Sequence, residues 1–172
     1  MTYRLVLGID PGITGAIALL ADGEFVDFID IPSVPRRTKG NEISGRVLSE
    51  RLDEELAKHP GAYCIGVIER IGIRPKQSAS ATSNFGETYG VLKGILAHAR
   101  IDFIVVQSSQ WKRDLNLLAP KDEEVDKNAS RIAAISKFPI AADKLKRVKD
   151  HNRADALLIA HWAQQTGQIP EH

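Results

Sequence analysis

Three carboxylates in this chain stand where a carboxylate is costly. The apolar run Leu5-Val6-Leu7-Gly8-Ile9 delivers Asp10 into a turn made of Pro11, Gly12, Ile13, Thr14 and Gly15; Cys64-Ile65-Gly66-Val67-Ile68 delivers Glu69; and Asp155 interrupts the apolar start of the last helical pattern. Three ionised carboxylates gathered to ~4 Å would repel by ~4 kcal/mol per pair at an effective dielectric near 20, so a fold that assembles them normally holds a divalent cation as well. The chemistry such a set supports is metal-assisted hydrolysis of a phosphate ester.

The elements that must position these acids follow from periodicity. On the first strand Val6, Gly8 and Asp10 share one face by the period of two, so the carboxylate shares its face with a glycine that leaves room for an ion or a phosphate. Glu69 follows Val67 and Ile65 in the same way. In the last helix Asp155, Leu158, Ile159 and Trp162 form one stripe at spacings of three, four and seven, which turns Asp155 towards the interior. His151 lies one turn earlier, about 40° around from Asp155. Asp150 precedes the helix and reads as its N-cap. The competing account of Asp155 is a structural ion pair with Arg153 or Lys149.

The rest of the chain supplies an α/β frame. Leu5 to Ile9, Gly15 to Leu20 and Phe25 to Ile31 read as three strands, with Asp22-Gly23 as a hairpin turn between the last two. Pro32 to Gly45 reads as an exposed loop, and Leu48, Leu52 and Leu56 mark an amphipathic helix. A fourth strand, Tyr63 to Ile68, leads through a polar stretch to a helix from about Phe85 to Ala99 and a short strand, Phe103 to Val106. Helical pieces over Gln110 to Leu115 and Lys121 to Ser136, a basic loop, and a helix from His151 to Gln165 complete the pattern. The expectation is one domain over residues 1–172 with a mixed sheet flanked by helices.

Composition narrows the setting. The 172 residues are 43% hydrophobic, enough for a continuous core, and the net charge of +1 conceals basic clusters at Arg36-Arg37-Thr38-Lys39, Arg70 to Lys76 and Lys144 to Lys149. Local patches rather than the total neutralise phosphates, so a polyanionic partner stays open. The single Cys64 excludes an intrachain disulfide framework and points to a reduced, cytoplasmic setting. No run reaches the ~20 apolar residues needed to cross a bilayer, and no membrane partner is expected.

The ordered set Gly8-Ile9-Asp10-Pro11-Gly12-Ile13-Thr14-Gly15, Glu69 and Arg153-Ala154-Asp155-Ala156-Leu157-Leu158-Ile159-Ala160 resembles the RuvC-type Holliday junction resolvases of the ribonuclease H-like superfamily. Phe85 to Gly94, Trp111-Lys112, and Lys127 through Ser130 to Phe138-Pro139 extend the resemblance to the phage and organelle branch of that group. It implies a ribonuclease H-like mixed five-stranded sheet, opened by an antiparallel meander. It also implies a homodimer that binds a four-way DNA junction and makes paired symmetric nicks with Mg²⁺, or Mn²⁺ in its place, and without a nucleotide cofactor. Asp10 would bridge two metals, Glu69 and Asp155 would each hold one, and His151 would be a ligand or an acid-base group. Location in the cytoplasm, of a cell or of a phage's host, follows.

One departure stands out, because the acid or histidine that well-known bacterial members carry three positions before the final aspartate is Asn152 here. The fourth group therefore lies among His151, Asp150 and Asn152, with His151 preferred on helical geometry. Candidate DNA contacts are Arg70, Arg74, Lys76, Lys112, Lys127 and Arg131, with Ile71 and Ile73 as apolar wedges or as side chains packed beneath their loop. Two other functions compete: a junction-binding protein without chemistry, which retention of the three acids opposes, and an actin-like phosphate-loop ATPase, which ATP binding would reveal.

Overall fold

The computed structural model describes residues 3–37, 39–70, 72, 78–118 and 128–169. In chain order the strands and helices are β1 (Arg4–Asp10), β2 (Ala16–Ala21), β3 (Glu24–Asp30), β4 (Ser33–Pro35), β5 (Asn41–Ile43), α1 (Gly45–Leu56), β6 (Tyr63–Glu69), α2 (Ala79–His98), β7 (Asp102–Val106), α3 (Ser108–Asp114), α4 (Ala129–Lys137) and α5 (His151–Gln165). Two 3₁₀ segments, Pro139–Leu145 and Val148–Asp150, lead into α5.

The main sheet has five strands in the order β3-β2-β1-β6-β7. β1, β2 and β3 form an antiparallel meander, whereas β6 and β7 run parallel to β1 and to each other. The β2–β3 hairpin turns on Asp22 and Gly23, with φ of +46° and +95°. Two consecutive positive φ values match the twist of the strands they join, which is why an Asp-Gly pair sits there.

Alternation along the strands makes two cores. Leu5, Leu7 and Ile9 join Ile17, Leu19 and Ile68 in packing against Leu48 and Leu52 of α1 and Leu92 and Leu96 of α2. Val6, Ala18, Leu20, Ile65 and Val67 face α5, with Trp111 of α3 and Ala134 of α4 closing that layer. Asp10 and Glu69 continue this second face, so both point to the side where α5 lies.

The space expected beside Asp10 is taken by α5 itself. A methyl group on Gly8 would come within 2.0 Å of the Ala156 carbonyl oxygen, 2.6 Å of the Ala160 nitrogen and 2.9 Å of its Cβ. Gly8 therefore admits helix backbone rather than an ion or phosphate. The buried part of α5 is also wider than one stripe: Ala154, Ala156 to Ala160, Trp162 and Ala163 are all buried, because the helix is covered by α4 and the preceding 3₁₀ segments as well as by the sheet.

Two element expectations need correction. Pro32 to Gly45 is not wholly a loop, since β4 and β5 pair as a small antiparallel hairpin and Ile43 is buried. Backbone bonds make that ladder, and its short strands carry no alternation to reveal it. The second helix begins at Ala79 rather than near Phe85, capped by Ser78, whose side chain accepts from the Ala81 N–H at 3.2 Å. Its first turns are polar, so no apolar period announced them. The expected helix over Lys121 to Ser136 is observed as α4 from Ala129; positions 121–127 lie outside the described residues.

Gly8→Ala should cost about 3 kcal/mol or more, because the added methyl meets helix backbone that cannot turn aside. Urea unfolding of the variant checks this; a loss under about 1 kcal/mol would mean that α5 can move off the sheet.

Candidate metal and nuclease site

Asp10 ends β1 and Glu69 ends β6, and the parallel register that aligns Ile9 with Ile68 brings these next residues side by side. Asp155 arrives from α5, one residue before the Ala156 that touches Gly8. The turn after Asp10 is closed by the Gly15 N–H donating to the Gly12 carbonyl at 2.8 Å. A side chain at Gly15 would come within 2.0 Å of the Asp10 carbonyl oxygen, so this position accepts glycine alone.

The three acids share one electrostatic environment. Asp10 is pushed up from 3.8 to about 7, first by desolvation and then by repulsion from Asp155 and Glu69, with the Gly12 N–H and Lys112 opposing. Glu69 is raised by burial and by Asp155, against the hydrogen bonds of Trp111 and Ser108 and the charge of Lys112. Burial likewise raises Asp155, opposed by Lys112, Ser130 and His151. Lys112 thus acts on all three carboxylates at once.

Several of these partners were not legible as site residues. The buried Trp111 donates its indole N–H to Glu69 Oε2 at 2.8 Å. Ser108 and Ser130, in the first turns of α3 and α4, act to lower the carboxyls of Glu69 and Asp155. The only sequence signal was the Trp111-Lys112 pair, and it gave no indication of which acid it would meet.

The donor set suits a hard divalent cation. All three acids offer oxygen, and the buried Asp155 Oδ1 has no hydrogen-bond partner, an expense that a cation would remove. Among the described residues, no three His, Cys, Asp or Glu side chains are drawn together into a cage able to hold an ion. The carboxylates stand as neighbours whose charges repel at Asp10 and Glu69, with Glu69 held by the Trp111 indole.

The residues around the start of α5 divide by role. His151 lies one turn before Asp155, and its Nδ1 is 3.1 Å from the Val148 carbonyl oxygen. Asp150 occupies the N-cap position of α5 without a capping hydrogen bond from its side chain. Instead it is buried and its carboxylate accepts from the Arg147 backbone N–H at 2.8 Å and from the Arg147 guanidinium at 2.8 and 3.0 Å. Asn152 donates to Thr14, across the turn that follows Asp10. Arg153 pairs with Asp30 at 2.6 and 2.7 Å rather than with Asp155.

The expected DNA contacts also separate. Lys112 is at the acids. Arg131 spends its guanidinium on the Leu145 and Lys146 carbonyls and on Asn128, clamping α4 to the basic segment. Arg70 lines a groove of ≈ 400 Å³ with Phe85, Tyr89 and Lys93 along α2. Arg74, Lys76 and Lys127, with Ile71 and Ile73, lie outside the described residues. A second groove of ≈ 430 Å³ at the start of α5 is bounded by Thr14, Gly15, Arg147, Lys149, His151 and Asn152, and none of the three acids lines it. A larger cavity of ≈ 790 Å³ opens at the far end of β1 and β6, around Tyr3, Tyr63 and His161, and holds none of the three acids.

Two solved structures of RuvC resemble this fold along nearly the whole chain. One, T. thermophilus RuvC in complex with a Holliday junction substrate, superposes with a TM-score of 0.59 at 16% identity over 96% of this chain and 95% of that one. The fold is that of RuvC. A further Thermus thermophilus RuvC structure gives a TM-score of 0.51 at 18% identity, covering 95% of this chain and 97% of the other. Among curated proteins, the chloroplastic Holliday junction resolvase MOC1 of Chlamydomonas reinhardtii is 46% identical over 54 residues, which are 31% of this chain and only 6% of that protein's length. No protein-family model matches the chain.

The crowding of the acids has a stability signature. Asp10 keeps in the folded state a proton that the unfolded chain has already released, so its contribution is full below about pH 4 and is lost as pH rises to about 7. Metal-free protein should therefore weaken across that window, and Asp10→Asn should flatten the slope. Denaturant titrations in EDTA should find the variant a few kcal/mol more stable than wild type above pH 7, with the gap closing towards pH 4. Equal stability at both ends would exclude repulsion at Asp10.

Proposed function

We propose that this chain is a metal-dependent endodeoxyribonuclease that resolves four-way DNA junctions. The observation that carries the reading is the convergence of Asp10, Glu69 and Asp155, from two strand ends and one helix, in the fold of RuvC. The choice of DNA form is supported by the Holliday junction substrate bound to T. thermophilus RuvC and by the chloroplastic relative, itself a Holliday junction resolvase.

In this reading Asp10, Glu69 and Asp155 hold Mg²⁺, with Mn²⁺ able to substitute, and His151 is the fourth group. A divalent cation held by these residues would supply an activated water and stabilise the leaving oxygen. Trp111 and Ser108 orient Glu69, Ser130 orients Asp155, and Lys112 offsets the combined negative charge before the cation binds. Lys149, which has no ion-pair partner among the described residues, and Lys112 are positioned to meet phosphates, whereas Arg147 and Arg153 are engaged by Asp150 and Asp30. The catalytic unit is one domain over residues 1–172. It acts where recombining DNA lies, in the cytoplasm of a cell or of a phage's host. Among the described residues no helix is long and apolar enough to cross a membrane.

Asp10→Asn should reduce nicking of a labelled four-way junction to background in Mg²⁺ while keeping junction affinity in Ca²⁺, since Lys and Arg contacts supply most of that affinity. Cleavage near the wild-type rate would remove Asp10 from the mechanism.

Paired nicks require two sites related by a two-fold axis, which a C₂ dimer provides. On α2, Leu92 and Leu96 are 1% exposed and belong to the core beneath the helix. The outward face instead carries Phe85 and the glycines Gly86, Gly90 and Gly94, none of which would meet another atom within 4 Å if given a Cβ. Spaced by four, these glycines let a second helix approach closely. Gly90→Leu should leave the monomer as stable as wild type or more so, by up to about 1 kcal/mol from helix propensity, and should halve the mass read by light scattering. An unchanged dimer would place the interface elsewhere.

A further inference from the structure

We propose that Asn152 is a positioning residue: its side-chain amide tethers the turn that follows Asp10 to the helix that carries Asp155, and this takes it out of the contest for the fourth metal-site position. The inference rests on the reading of those carboxylates as the metal site. Its footing is geometric. Asn152 Nδ2 donates to the Thr14 carbonyl oxygen at 2.6 Å and lies 3.1 Å from Thr14 Oγ1, 138 residues away in the chain.

The tether matters because of what lies at each end. Thr14 sits in the Pro11 to Gly15 turn, which returns to Asp10 through the Gly12 N–H bonded to its carboxylate. The base of that turn is held by Gly15, whose N–H bonds Gly12 and whose carbonyl accepts from Ile31 at 3.0 Å. At its tip, Thr14 is held by Asn152. At the other end, Asn152 lies three residues before Asp155, one turn along α5. The close packing of Gly8 on Ala156 and Ala160 fixes the height of α5 over β1. The tether fixes the remaining freedom, the tilt of the turn that aims Asp10 across at Asp155.

The amide is also the side chain that suits this task. A carboxylate at position 152 would set an acceptor against the Thr14 carbonyl oxygen, and neither could donate. An amide at position 152 thus serves to hold the turn, which a carboxylate there could not do.

Four proteins decide the matter: wild type, Asn152→Ala, Asn152→Asp and Thr14→Val. Amide hydrogen exchange in EDTA reads the turn directly, thermal unfolding in EDTA reads the tether's stability, calorimetry reads Mn²⁺ binding to the DNA-free protein, and single-turnover cleavage reads catalysis beside junction affinity in Ca²⁺. Asn152→Ala should speed exchange at residues 12–15 and lower the midpoint by about 2–4 °C, as for one lost hydrogen bond in a chain of this size. It should weaken Mn²⁺ binding and slow cleavage by about 10-fold or more, with junction affinity within about 2-fold of wild type, the pattern of a group that orients metal ligands. Asn152→Asp should behave the same way or worse, and Thr14→Val, which keeps the carbonyl bond, should lose less.

If Asn152→Asp binds Mn²⁺ as tightly as wild type or more tightly while Asn152→Ala loses binding, position 152 is a ligand and the proposal is wrong. Unchanged exchange and midpoint in Asn152→Ala would also overturn it. Wild-type protein that fails to cut junctions would refute the nuclease reading instead, and the exchange and melting results would still report on the tether.

Discussion

The close contact between Gly8 and α5 is the constraint on which the site depends. Helix backbone at Ala156 and Ala160 reaches the middle of β1 because the residue beneath it has no side chain. That contact sets Asp155, the neighbour of Ala156, at the strand end where Asp10 emerges, and the parallel pairing of β1 with β6 adds Glu69. A larger residue at position 8 would lift the helix and separate the acids. Small residues along this part of α5, Ala154, Ala156, Ala160 and Ala163, serve the same end: they allow a helix buried on most sides to lie flat on the sheet.

Electrostatics then work against the assembly. Desolvation is the largest influence on each acid, and repulsion adds to it at Asp10 and Glu69, so all three carboxyls hold protons more tightly than free ones. Lys112, Trp111, Ser108 and Ser130 offset part of this cost by charge or by hydrogen bonding. They come from α3 and α4, elements that cover the same face of the sheet as α5. The layer that buries the apolar core thus also supplies the groups that keep the carboxylates apart but near. A divalent cation is the counter-charge that such a set lacks.

The basic segment before α5 contributes less free charge than its composition suggests. Arg147 is bound to Asp150, Arg153 to Asp30, Lys146 to Asp143, and Lys144 to Asp27. Arg131 joins this segment to α4 through carbonyl oxygens. These links fasten the entry to α5, the element whose placement decides the site. A run of bases read from sequence as a phosphate-binding surface is in large part a structural brace, because Lys144 and Arg153 reach Asp27 and Asp30 across the fold while Lys146 and Arg147 pair with acids three residues away.

By itself the sequence determined the five main strands, the hairpin at Asp22-Gly23, the last helix and the three acids, since apolar alternation, a turn pair with positive φ and charges set in apolar runs are all local signals. The same local reading assigned Gly8 to an open pocket, Asp150 to a cap and Arg153 to a possible partner of Asp155. Tertiary structure decided two of these otherwise: α5 fills the space at Gly8 and Asp30 takes Arg153, whereas Asp150 keeps the cap position but spends its carboxylate on Arg147, three residues away. It also decided that Trp111 meets Glu69 and that Asn152 meets Thr14, contacts across 42 and 138 residues. Strand and helix periods are written in neighbours a few positions apart, whereas the partner of a polar group is chosen by whichever distant segment packing brings within about 3 Å.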